Sequence, residues 1–161
     1  MKKLRLPGFT YIELMMVMGI LVMLLTLVNI TIVPAINRAD TRSQANVLLA
    51  DLFSQQQKSM QSELGSGGES TPFGIYFQPG YYVLFQGTSY VADQLDNYRV
   101  DVPDSLTFSA INLPDNTVMF SRITGEVIGY NSSQNTVTLS PLNGGVARVI
   151  QLNRYGVVEL Y

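Results

Sequence analysis

LMMVMGILVMLLTLVNITIV, Leu14 to Val33, carries no charge, and none follows it until Arg38. As a helix these 20 residues would measure about 30 Å at a rise of ~1.5 Å per residue, the thickness of a bilayer's hydrocarbon layer. Lys2, Lys3 and Arg5 stand just before the run, whereas Arg38, Asp40 and Arg42 form a mixed set after it. The positive-inside bias then predicts a cytoplasmic N-terminus and an extracytoplasmic C-terminal part. A secretory signal peptide has a shorter apolar core, about 7–15 residues, closed by a small-x-small cleavage site, so the run is expected to stay as an anchor.

Glu13 heads this run, between Ile12 and Leu14. A carboxylate entering a bilayer costs several kcal/mol unless it is paired or held at headgroup depth, so Glu13 calls either for a cation at the same depth or for solvation at the interface. Composition narrows the chemistry further. The 161 residues include no histidine and no cysteine, which removes the common zinc sites, thiol nucleophiles, disulfides and histidine-based triads. A net charge of -2 gives no basic footprint for nucleic acid. The acids are scattered rather than convergent, so no enzyme, cofactor or metal is expected.

The leading residues KKLRLPGFTYIEL resemble the class III signal of type IV prepilins and type II secretion pseudopilins. The correspondence lies in a short basic leader, Gly8 before the cut, the aromatic Phe9 after it, and Glu13 as the fifth residue of the mature chain. The resemblance implies cleavage by a prepilin peptidase between Gly8 and Phe9, N-methylation of Phe9, and a role for Glu13 in filament assembly. Cleavage would remove Lys2, Lys3 and Arg5 and create an α-ammonium at Phe9. That ammonium could pair with Glu13 of a neighbouring subunit in low dielectric, acting as a register device. Taken singly, Gly8 also reads as a flexible residue after Pro7, and Phe9 as an interfacial aromatic.

Beyond Pro34, where a kink is expected, Ala45, Leu48, Leu49, Leu52, Phe53 and Met60 recur at three- and four-residue spacing, and Gly65 is a plausible stop. From Thr71 the pattern changes to short alternating runs between turn residues. Strands are predicted over 73–77, 81–86, 98–102, 117–121, 126–130, 136–139, 147–152 and 156–161. The expected fold is α+β, a long N-terminal transmembrane and amphipathic α-helix packed on a C-terminal antiparallel β-sheet domain, as in pilins. Its parts are a leader over 1–8, a helix over 9–64 (transmembrane about 14–33, amphipathic 35–64), a linker over 65–72 and a β-rich domain over 73–161.

FGIYFQPGYYVLFQG, TVMFSRITGEVIG and NGGVARVIQLNRYGVVEL are similar to the early hairpin, middle turn and closing hairpin of the GspH/FimT group of pseudopilins. Some members of that group carry arginines after the final turn glycine and are associated with DNA uptake. Here Val157, Val158 and Glu159 follow Gly156, so nucleic acid is not favoured as a partner. The resemblance implies a minor pseudopilin in a type II secretion pseudopilus or a type IV pilus-like filament. Its partners would be the prepilin peptidase, other pilins, the inner membrane and an exported protein substrate. The alternatives are a major type IV pilin or a membrane-anchored extracytoplasmic binding module. Asp93, Asp96, Asp101 and Asp104 could suggest calcium, but their spacing fits no EF-hand and turn aspartates commonly bond the local backbone. Asn131-Ser132-Ser133 fits the glycosylation tripeptide and receives no role. Tyr76, Tyr81, Tyr82, Tyr90 and Tyr98 are read as core and cross-strand packing.

Overall fold

A computed structural model describes residues 8–61 and 70–161, and the side chains of 27–39 lie outside that description. The chain divides into two compact units, Met1–Ile36 and Asn37–Tyr161.

Helix is assigned over Tyr11–Met60 (α1), within which the described side chains fall in two stretches, 11–26 and 40–60. Among the described residues no helix is long and apolar enough to cross a membrane. The expected span over 14–33 is described only as far as Thr26. Its remainder, the kink expected at Pro34, and the greater part of the linker expected over 65–72 lie outside the described side chains.

The described residues of the second unit contain eight strands. They are β1 (Phe73–Gln78), β2 (Tyr81–Gln86), β3 (Tyr98–Asp101), β4 (Leu106–Asn112), β5 (Thr117–Phe120), β6 (Thr136–Pro141), β7 (Arg148–Leu152) and β8 (Val158–Leu160). They form two antiparallel four-stranded sheets, ordered β3-β2-β1-β5 and β4-β6-β7-β8. The expected fold is therefore corrected. In place of a long transmembrane helix on one sheet domain, the described residues give two shorter helical stretches and a β-rich unit of two sheets. The chain leaves the first sheet after Phe120. Gly125 and Gly129, both at a φ of 68°, turn it there, and only an isolated bridge between Phe120 and Val127 remains where a strand over 126–130 is predicted. Of the later strands, β6 then pairs with β4, a strand absent from the sequence reading, and β7 and β8 follow in order beyond it.

Alternation gives each sheet one apolar face. Ile75, Phe77, Tyr82, Val118 and Phe120 of the first sheet meet Leu106, Phe108, Val137, Leu139, Ile150 and Leu152 of the second in one core. Phe108 stands edge-on to Phe77 at 5.5 Å between ring centroids, one direct contact between the sheets. The second stretch of α1 closes this core. Its buried positions are Thr41, Ala45, Leu48, Leu52, Gln55 and Ser59, alternating four- and three-residue steps that keep one narrow stripe facing inward. The stripe differs from the predicted one: Phe53 is 62% exposed and Met60 is also outside, while polar Thr41, Gln55 and Ser59 take inward positions.

The outer face of the first sheet is partly covered by its own loop. Tyr90 stacks on Tyr76 with centroids 4.1 Å apart and meets the edge of Phe85. Phe85 lies opposite Gly74 in the ladder, and a Cβ at Gly74 would stand 2.8 Å from its ring and 2.6 Å from the Val118 carbonyl oxygen. Glycine is what lets that aromatic ring lie over the strand.

Candidate functional site

The residues singled out at the N-terminus occupy the start of α1. Phe9 is 84% exposed, and the space beside Gly8 is open, with nothing within 4 Å of where a Cβ would stand. Thr10 caps the helix: the Leu14 N–H donates to its carbonyl oxygen at 3.1 Å. The Glu13 N–H donates to Thr10 Oγ1 at 3.4 Å, and the Thr10 N–H and hydroxyl both donate to Glu13 Oε2 at 3.4 Å. This is a reciprocal capping box, in which two orphan backbone donors of the first turn are satisfied by side chains. A carboxylate there also complements the positive end of the helix dipole.

Sequence reasoning placed Gly8, Phe9 and Glu13 but passed over Thr10. The Thr-x-x-Glu spacing ahead of an apolar run was the available signal. Among the described residues Glu13 is brought to Thr10, and no cation pairs with it.

Behind this cap Ile12, Leu14, Met15, Met16, Val17, Met18, Ile20 and Leu21 through Leu25 are all exposed. They point in every direction around the helix. Such a surface is stable in lipid or inside an assembly and unfavourable in water.

In the β-rich unit, Gln56 occupies a different position from its buried neighbours. Its Nε2 donates to the Gly125 carbonyl at 3.0 Å and the Tyr155 carbonyl at 2.8 Å, using both amide hydrogens on two loops, one following β5 and one between β7 and β8. Gly156, at a φ of 74°, leaves room for this side chain, because a Cβ there would fall 2.4 Å from Gln56 Nε2. The glycine compared above with the arginine-bearing turn thus serves packing against α1. Asp51 accepts from the Tyr82 hydroxyl at 2.5 Å. Burial first, and then the Asp51 carboxylate, pushes the Tyr82 phenol well above its ordinary value.

The remaining sequence candidates are dispersed. Asp101 pairs with Arg99 at 2.6 Å, Asp93 adopts a φ of 61° in its turn, and no group of three acids is gathered among the described residues. Asn131 makes an Asx turn, its Oδ1 accepting from the Ser133 N–H at 2.9 Å. No family model, no curated protein and no solved structure matches this chain.

Proposed function

We propose that this protein is a minor pseudopilin, a structural subunit of a type II secretion pseudopilus or type IV pilus-like filament, and not an enzyme. The exposed apolar stretch from Leu14 to Leu25, headed by Glu13 four residues after Phe9 of the open Gly8–Phe9 junction, carries this reading. Prepilin peptidase cuts between Gly8 and Phe9, Phe9 becomes the methylated N-terminus, and the subunit rests in the inner membrane with the β-rich unit outside the cytoplasm. Assembly transfers the apolar surface from lipid to neighbouring subunits, so one surface serves both states. Glu13 pairs with the Phe9 ammonium of a neighbour, giving up part of its bonding to Thr10. Loss of one partner of a buried charge pair costs about 3–5 kcal/mol, so Glu13→Leu should block incorporation and spare the β-rich unit.

Intact-mass and N-terminal analysis of protein taken from its native membrane tests the reading. A chain beginning at Phe9, with or without one methyl group, supports it. A chain that retains residues 1–8 beside an active prepilin peptidase overturns it. The capping box favours a second reading in one respect: Glu13 already has a local role, so an anchored binding module would need no intersubunit partner for it. Such a module would keep its anchoring and binding in Glu13→Leu.

A further inference from the structure

The β-rich unit holds a cleft of about 310 Å3 whose lining includes Gln55 and Lys58 of α1, Phe73 of β1, Leu84 of β2 and Tyr98 of β3. Its size is at the lower end of the roughly 300–1,000 Å3 typical of ligand clefts. Gln55 is only 3% exposed, and its Oε1 accepts no hydrogen bond among the described residues. A buried acceptor without a donor is unfavourable compared with an apolar side chain of the same shape, so its presence points to a donor arriving from outside. Lys58 lies three residues further along the helix, on the same side. Its Nζ stands 5.8 Å from the centroid of the Phe73 ring, and among the described residues it has no carboxylate partner. Two other polar residues of the lining have partners within the chain. Gln86 Nε2 donates to Thr71 Oγ1 at 2.7 Å, and Asp96 is engaged within the chain.

The cleft therefore presents three demands at once: a hydrogen-bond donor for Gln55 Oε1, an anion for Lys58, and apolar surface for Phe73 and Leu84. An inorganic anion leaves the third unmet, and a purely apolar ligand meets only the third. We propose that the cleft receives the carboxyl terminus of a peptide ending in an apolar residue. The last N–H donates to Gln55 Oε1, the terminal carboxylate accepts from Lys58 Nζ, and the last side chain lies against Phe73 and Leu84. The proposal is independent of the filament reading, since every group in it belongs to the β-rich unit.

Titration of the full chain in mild detergent, followed by heteronuclear NMR, tests it. The probes are acetyl-Gly-Gly-Leu with a free carboxylate, the same peptide as its terminal amide, and the acid with its leucine nitrogen methylated. The acid is expected to shift the Gln55 side-chain amide and the neighbours of Phe73 saturably. The amide and the N-methyl peptide should each bind about tenfold more weakly, one for want of the anion and the other for want of the donor. Lys58→Met should erase the preference for acid over amide, and Gln55→Met the preference against N-methylation. Without ligand, Gln55→Met should match or exceed the parent's thermal midpoint, since the orphaned acceptor is gone. Absence of a saturable shift with the acid, or equal affinity for acid and amide in the unaltered chain, overturns the proposal.

Discussion

Thr10 gives Glu13 a bonded position before any second subunit is present. Its removal should therefore be felt at the helix start and nowhere else. Thr10→Ala is expected to cost about 0.5–2 kcal/mol of local helix stability, seen as faster amide exchange over residues 11–14 in detergent with the melting of the β-rich unit unchanged. Tyr82 supplies a different kind of test. Its folded-state pKa is raised, so the folded chain holds the phenol proton more tightly than the unfolded chain does. That contribution is complete below the ordinary tyrosine value of about 10 and is lost as the pH rises above it. Denaturant unfolding should show stability falling on the alkaline side of pH 10, and Tyr82→Phe should flatten that fall. The same substitution removes the bond to Asp51 and should lower stability at pH 7 by about 1.5–3 kcal/mol, as expected for a hydrogen bond to a charged acceptor.

At the level of elements, the inward stripe of α1 and its outward face should respond oppositely. Leu48 and Leu52 are almost fully buried in the shared core. Leu48→Ala should cost about 2–5 kcal/mol, whereas Phe53→Ala should stay within roughly 0.5 kcal/mol in the isolated subunit, both read from chemical denaturation. The contrast shows what sequence periodicity could and could not carry. Ala45, Leu48 and Leu52 were legible because apolar residues at helical spacing mark an inward face. Thr41, Gln55 and Ser59 were not, because a polar residue gives no apolar signal at helical spacing; Ser59 is held inward by a partner distant in the chain, its Oγ accepting from the Phe73 N–H at 2.9 Å. Seven of the eight predicted strands have a counterpart, because alternation and turn residues are local signals. The strand β4 was hidden by the register shift between Phe108 and Ala110, which breaks the alternation that reveals a strand. Division into two sheets was hidden too, since it rests on which strands pair rather than on which residues extend. Of the candidate site, the Gly8–Phe9 junction and Glu13 were visible as a motif, whereas Gln55 and Lys58 gained meaning only when the fold set them beside Phe73 and Leu84.

For the whole molecule, an apolar surface and a packed core lie in separate units. Removal of residues 1–36 should leave a monomer in plain buffer with one cooperative unfolding transition. The full chain should associate unless detergent covers residues 9–25. Sedimentation and thermal melts of both would check this, and a full chain that stays monomeric without detergent would contradict the exposure described above. Gln56 adds a property of the β-rich unit that equilibrium melting does not report. With its two amide hydrogens on loops following β5 and β7, it hands a pull along this part of the helix to both sheets at once. Neither sheet need bear the load alone. A subunit drawn by its helix would therefore give way at a higher force, and in fewer steps, than Gln56→Ala stretched the same way.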